Sequence, residues 1–138
     1  MPKSPDRAIQ RLVEAWIRKA EADIRLAEHL LEENAPFWDA IAFHCQQGAE
    51  KYLKAFLVGH QVEFPKTHNI RELLGYVATV DKRFAQSLKP SRVLTPYGVV
   101  VRYPDDIHRV DRKKAETALG LAQKVEKSIL GKFKRIRK

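Results

Sequence analysis

Apolar residues recur at helical spacing near the beginning of the chain. From Val13 to Leu31 they fall every three or four positions, and charged residues occupy the opposite face. This pattern predicts one amphipathic helix of about 25 residues. Asp6 is a candidate N-cap, and Pro36 is expected to mark the end, because proline cannot continue a helix. The apolar positions are Val13, Trp16, Ile17, Ala20, Ile24, Ala27 and Leu31.

A second helical pattern covers residues 37 to 58. Gly48 lies in its middle, where glycine costs about 1 kcal/mol relative to alanine, so we expect a close helix crossing there. Phe43, Gln47, Glu50 and Lys54 form a stripe on the far side, and this mixture of an aromatic ring with polar groups would suit a partner subunit or a ligand groove. The predicted core stripe is Ile41, Cys45, Ala49, Tyr52, Leu53 and Phe56.

A third helix is predicted after Thr67, a favourable N-cap residue. Its continuation past Val80 is either the same helix with a bend or a short separate one. The stretch from Lys89 to Tyr103 then loses its periodicity at two prolines and a glycine, and irregular stretches of this length are often functional. The apolar face of the third helix consists of Ile70, Leu73, Leu74 and Val77.

A fourth helix is predicted from Pro104 to about Leu130, because proline and acidic residues favour the first helical turn. Its inward face is mostly small: Ala115, Ala118, Ala122, Val125 and Ile129. The predicted fold class is therefore all-α. It is an antiparallel four-helix up-and-down bundle with an irregular loop before the last long helix, in a single domain over residues 1–138. Residues 1–7 and 131–138 are expected to be flexible.

Positive charge is concentrated at the C-terminal end. The chain of 138 residues has a formal net charge of +9, and residues 109–138 supply +8 of it, with eleven basic and three acidic residues. This imbalance suits a polyanionic partner, although residues 132–138 could simply aid solubility. Hydrophobic residues make up 44%, which excludes a disordered chain. No apolar run approaches the roughly 20 residues of a membrane helix, so no membrane partner is expected.

Cys45 is the single cysteine, which excludes an intramolecular disulfide and fits a cytoplasmic protein. It is interpreted as a core thiol rather than a nucleophile. His68, beside the predicted cap, is interpreted as structural. The five histidines and the cysteine show no zinc-ligand spacing, and the sequence has no phosphate-binding glycine loop or dinucleotide fingerprint. We therefore predict no metal site and no cofactor.

Candidate chemistry is densest from Arg102 to His108, which reads Arg-Tyr-Pro-Asp-Asp-Ile-His. His108 would fall in the first turn of the fourth helix, where the dipole disfavours the imidazolium and attracts phosphate. A neutral imidazole can act as a general base, and the Arg102 guanidinium can bind a phosphate through two hydrogen bonds. The structural alternative, favoured on spacing alone, is that Arg102 pairs with Asp105 or Asp106 while His108 is merely exposed.

Three stretches together carry a family resemblance. They are Phe43-His-Cys-Gln-Gln-Gly-Ala-Glu-Lys-Tyr-Leu-Lys54, Lys66-Thr-His-Asn-Ile70, and Tyr97 with Arg102-Tyr-Pro-Asp-Asp106. From about Ala20 to Lys127 the chain resembles the HEPN family, small prokaryotic four-helix domains often found beside minimal nucleotidyltransferases. Many members carry an Arg-x4-6-His motif at this place, and Arg102 and His108 match it with five residues between them.

The resemblance implies a metal-independent endoribonuclease, a candidate toxin of a toxin–antitoxin pair. Arg102 would hold the scissile phosphate, and His108 would act as acid or base while the ribose 2′-hydroxyl attacks phosphorus and leaves a 2′,3′-cyclic phosphate. Such proteins usually work as homodimers with both motifs facing one cleft, which would also explain the Phe43–Lys54 stripe and Gly48. A minimal nucleotidyltransferase antitoxin is a candidate partner. Val110 stands where some toxins carry a modifiable tyrosine, so this mode of regulation is not expected.

Two other functions fit the same sequence. One is a non-catalytic module that binds a nucleotide or RNA and partners a nucleotidyltransferase; its binding would fall with salt and survive the loss of His108. The other is a purely structural helical dimer. The candidate phosphate ligands are Lys51, Lys54, Arg109, Arg112 and Lys113.

Overall fold

The computed structural model describes the backbone of residues 4–98 and 110–136 and the side chains of residues 7–98 and 110–133. All elements in these ranges are helical, which confirms the all-α class. The described part contains six helical segments rather than four, because residues after the third helix form two further short ones. The segments are α1 (Ser4–Glu32), α2 (Trp38–Gly59), α3 (Ile70–Val80), α4 (Lys82–Ser87), a 3₁₀ segment (Lys89–Gly98) and α5 (Arg112–Ile136).

The predicted second and fourth helices form with their expected apolar faces inward. α2 lies at the centre, packed against α1, α3, the 3₁₀ segment and α5. The predicted stripe of α2 is at most 1% exposed, and the small face of α5 is equally buried. Helical backbone reaches Ser4 at one end and Ile136 at the other, into both segments that we expected to be flexible. Within the described residues, no helix is long and apolar enough to cross a membrane.

Gly48 lies where α2 crosses α1. A Cβ atom at this position would lie 2.5 Å from Ile24 Cδ1 and 3.3 Å from the carbonyl oxygen of Ala20. The predicted close crossing is therefore confirmed. Since a helix of the same chain makes it, the explanation of Gly48 by a dimer is wrong.

Cys45 is fully buried in the core, as expected. Burial raises the pKa of its thiol to about 12, and the nearby carboxylates of Glu28 and Asp23 act in the same direction. The thiolate needed of a nucleophile is therefore strongly disfavoured.

Polar side chains define where several helices begin. Asp81, in extended backbone, accepts a hydrogen bond from the Phe84 N–H at 3.0 Å, so α4 is a separate helix rather than a bend in α3. The N-cap of α3 is Asn69, whose side chain accepts from the Glu72 N–H at 3.1 Å. The prediction of Thr67 as the cap is wrong: its hydroxyl accepts from the Asn69 N–H instead. Asp6 likewise lies inside α1 and does not precede it.

α5 begins later than predicted. Val110 and Asp111 are not helical, and Arg112 is the first helical residue. The Asp111 carboxylate accepts a hydrogen bond from the Lys114 N–H at 2.8 Å and so takes the N-cap role. The prediction that this helix starts at Pro104 is therefore wrong, and the argument that placed His108 in its first turn no longer holds.

Candidate functional site around residues 99–109

Arg102, His108 and Arg109 lie outside the described residues, so the observed geometry is that of their flanks. Before the segment, Tyr97 and Gly98 end the 3₁₀ helix. After it, Val110 is buried at 3% exposure and Asp111 caps α5. Tyr97 and Asp111 line the same pocket of about 320 Å³, so the segment begins and ends beside one cavity. The other described residues that line it are Val93, Lys113, Lys114, Thr117, Ala118 and Leu121.

The first turn of α5 contains three basic residues, of which Lys113 and Lys114 line this pocket. Helix N-termini attract anions through their free N–H groups and the helix dipole. Arg112 pairs with Glu116 at 3.1 Å and lies over the Trp38 ring at 5.6 Å, so its charge is partly offset. Lys113 is exposed and lines the pocket. The described lining therefore has two lysines against one carboxylate, Asp111, and this positive balance favours an anionic ligand.

Gly98, the last described residue before the segment, packs against a buried glutamine. A Cβ on Gly98 would lie 2.8 Å from the amide carbon and from Oε1 of Gln46, so only glycine allows this approach. Gln46 donates to Glu50 Oε1 at 2.9 Å and to the His68 carbonyl oxygen at 3.0 Å. Gln47 in turn donates to Gln46 Oε1 at 2.8 Å. The Gln46 side chain is therefore held from three sides and fixes where the 3₁₀ segment ends.

Glu50 is the centre of this buried polar cluster. It is 2% exposed and binds Lys54 Nζ at 2.8 Å and His68 Nδ1 at 3.1 Å. Lys54 is itself buried and lies 5.5 Å from the centre of the Trp16 ring. The interpretation of Phe43, Gln47, Glu50 and Lys54 as a face for a partner is therefore wrong for Glu50 and Lys54, which the chain's own residues cover.

Lys51, another proposed phosphate ligand, is also engaged within the chain. Its Nζ lies 2.6 Å from Asp23 Oδ2, and His44 Nδ1 lies 2.8 Å from Asp23 Oδ1. Asp23 is 9% exposed, so this carboxylate binds two α2 side chains at the α1–α2 contact. Of the four proposed phosphate ligands that the structure describes, only Lys113 is both exposed and without an ion-pair partner among the described residues.

A family match covers most of the chain. The family model for the HEPN domain matches residues 13–132. The chain belongs to the HEPN family. No curated protein is similar enough to count as a relative.

Two solved structures share this HEPN fold. One is TT1696 from Thermus thermophilus, with 27% identity, a TM-score of 0.69, and coverage of 87% of this chain and 97% of that one. The other is ST0689, an archaeal HEPN homologue, with 20% identity, a TM-score of 0.65, and coverage of 87% and 96%. The family contains both ribonucleases and non-catalytic members, so membership leaves the activity to be argued from the site.

The structure shows what two of the motifs behind the HEPN resemblance do. The α2 motif supplies Gln46, Glu50 and Lys54, and the motif before α3 supplies His68; these side chains meet in the Glu50 cluster. Sequence reasoning missed the cluster because it treated the two stretches separately. The available signal was the i, i+4 spacing of Gln46, Glu50 and Lys54, which puts complementary groups on one helix face.

Proposed function

We propose that this HEPN protein is a metal-independent endoribonuclease whose catalytic residues are Arg102 and His108. The supporting observation is that both flanks of their segment are fixed in place. Gly98 is seated on the buried Gln46, while Val110 is buried and Asp111 caps α5. Catalysis by positioning needs such anchoring, because small displacements of reacting groups cost rate.

The proposed reaction is an internal transesterification. The ribose 2′-oxygen forms a bond to the adjacent phosphorus, the bond from phosphorus to the 5′-oxygen breaks, and a 2′,3′-cyclic phosphate remains. His108 removes the 2′-hydroxyl proton and passes it to the leaving 5′-oxygen, or it makes one of these two transfers while water makes the other. Arg102 stabilises the charge that develops on the phosphoryl oxygens. Arg109, Arg112 and Lys113 would hold the neighbouring phosphates.

The test is cleavage of a defined RNA by His108→Ala and Arg102→Ala. Loss of an acid–base group lowers the rate by about 10²–10⁴-fold, and we expect loss of this order for His108→Ala. His29→Ala is the matched control, since His29 is an exposed histidine on α1 and is not part of the proposed motif. Cleavage at the wild-type rate by a folded His108→Ala protein would eliminate this mechanism.

A second candidate is a non-catalytic module that binds RNA or a nucleotide beside a nucleotidyltransferase. The exposed Lys113 at the α5 N-terminus supports it, because anion binding there needs no proton transfer. In that case binding persists in His108→Ala and wild type cleaves nothing.

For the toxin role, cytoplasmic expression of the wild-type protein should arrest cell growth, and co-expression of a cognate nucleotidyltransferase antitoxin should relieve the arrest.

A further inference from the structure

A basic cleft lies on the side of the molecule formed by α3, α4 and the 3₁₀ segment. It has a volume of about 940 Å³, and Arg71, Lys89 and Arg92 line it. A smaller cavity of about 270 Å³ adjoins it, shares these three residues and adds Lys82. Both are largely open to solvent. We call the two together the α3–α4 cleft.

The charges of this cleft are uncompensated. None of the described residues that line it is acidic. Within the described part of the chain, Arg71, Lys82, Lys89 and Arg92 have neither an ion-pair nor a hydrogen-bond partner for their side chains. Four cations around one depression repel each other, and an external anion that binds there reduces this repulsion.

The lining identifies the chemistry of that anion. Two arginines offer planar donor groups that match phosphate oxygens. No aromatic ring lines either cavity among the described residues, so there is no platform for base stacking. A cleft of this volume holds a few nucleotides, and its open ends allow a polymer to pass through rather than enclose a small molecule. These features suit a phosphodiester backbone that is bound regardless of base sequence.

The cleft reaches the described residues that precede the proposed catalytic segment in the chain. Thr95 and Pro96 line it, and the same 3₁₀ segment ends two residues later at Gly98. We infer that the α3–α4 cleft binds the backbone of a single RNA strand and leads it toward residues 99–109. This inference rests on the proposed function for the choice of RNA, but it adds a second binding site made of different residues.

The first experiment measures binding of a 2′-O-methyl oligouridylate, which cannot be cleaved because it lacks the attacking hydroxyl. Arg71→Gln/Arg92→Gln is compared with Arg11→Gln/Arg18→Gln. The control removes the same charge from exposed positions on α1 that have no partner among the described residues. Each lost contact to a single strand lowers the slope of log affinity against log salt by about 0.7. We expect a drop of about 1.4 and at least about tenfold weaker binding at low salt, against less than about twofold for the control.

A second pair of variants adds charge instead of removing it. Gly75 lies in α3 on the lining of the smaller cavity, and a Cβ there would meet nothing within 4 Å. Gly75→Glu should therefore fold and place a carboxylate in the path of the phosphates. Gly120→Glu, at an equally open position in α5, is the control. Equal effects of the two substitutions, or wild-type affinity in Arg71→Gln/Arg92→Gln, would overturn the inference.

The same assay separates this inference from competing accounts. An oligoglutamate that binds more tightly than the RNA, with the same dependence on Arg71 and Arg92, would assign the cleft to an acidic protein and overturn the RNA assignment. Loss of RNA binding in the cleft variants while His108→Ala still cleaves supports the cleft and removes the proposed catalytic role. With active enzyme, the cleft variants should raise KM and leave kcat unchanged. An unchanged KM would contradict RNA binding in the α3–α4 cleft and would leave the proposed catalytic role untouched.

Discussion

The buried carboxylate of Glu50 binds the side chains of Gln46, Lys54 and His68. Removing water from a charge is costly, and the cost is offset only if its partners stay in place. The Lys54 ammonium has Glu50 on one side and the Trp16 ring on the other. The cluster therefore contributes to stability as a unit, and its individual members are not separable.

Glu50→Gln should leave Lys54 buried without a counter-charge. We expect a loss of about 3–5 kcal/mol in the free energy of unfolding, measured by urea denaturation. Glu116→Gln breaks a pair of the same i, i+4 spacing on the surface and should cost less than about 1 kcal/mol. The double variant Glu50→Gln/Lys54→Met should be less destabilised than Glu50→Gln alone; equal or greater destabilisation would contradict the shared-charge account.

His60 gives the protein a pH-dependent contribution to stability. Its pKa is lowered from 6.5, first by burial and then by the charge of Lys132, while Asp81 opposes the shift. The unfolded chain therefore takes up a proton at a higher pH than the folded one. The stability that His60 contributes is complete above about pH 6.5 and is lost as the pH falls through the folded pKa.

Substituting His60 should remove this contribution. The difference in unfolding free energy between wild type and His60→Gln should shrink as the pH is lowered from about 7.5 to 5, followed by urea midpoints at each pH. The difference is used because it cancels the pH-dependent contributions that the two proteins share. A difference that stays constant over this range would show that His60 is not perturbed.

At the level of helices, the α1–α2 crossing depends on Gly48. Gly48→Ala would push Ile24, which is fully buried and has little room to move. We expect a loss of about 1–3 kcal/mol in stability. Gly120→Ala meets no neighbouring atom and should instead stabilise α5, by up to about 1 kcal/mol, through helix propensity. Thermal unfolding that ranks the two variants in the opposite order would contradict the crossing.

Helix positions were predictable from the sequence, and helix starts were not. The period of apolar residues fixes which face is buried, so the stripe around Tyr52 and Phe56 was predicted correctly. Start positions depend on which of several nearby polar residues turns toward the free N–H groups. Asn69 rather than Thr67 caps α3, and α5 begins after its cap Asp111 rather than at Pro104. Local sequence offers all of these residues as caps, and tertiary packing selects one.

The candidate site was only partly predictable for a related reason. Net charge pointed to the C-terminal end, where Arg112 and Lys113 indeed flank the segment. The first 108 residues looked nearly neutral, and that average concealed both the internal pairing of Lys51 and Lys54 and the unpaired cations around Arg71 and Arg92. Which cations remain free depends on contacts between distant residues, such as Lys51 with Asp23, which no local pattern contains.

At the level of the whole molecule, the cleft that two copies of the Arg102–His108 motif would share, which is distinct from the α3–α4 cleft, requires a dimer. HEPN proteins often form dimers. If both copies contribute to one cleft, mixing Arg102→Ala with His108→Ala should restore cleavage, because each mixed dimer retains one intact arginine and one intact histidine. Light scattering should give twice the mass of 15.9 kDa. A monomer, or no restored activity on mixing, would contradict the shared cleft.

The most direct test of the catalytic account is the chemistry of the RNA ends. Wild-type protein is incubated with a defined RNA in EDTA, in parallel with His108→Ala, and the products are analysed by mass spectrometry. The account predicts 2′,3′-cyclic phosphate ends from wild type and at least about 10²-fold less product from His108→Ala. It also predicts no cleavage at a position that carries a 2′-O-methyl group. Cleavage that EDTA abolishes, or cyclic phosphate formed equally well by folded His108→Ala, would contradict it.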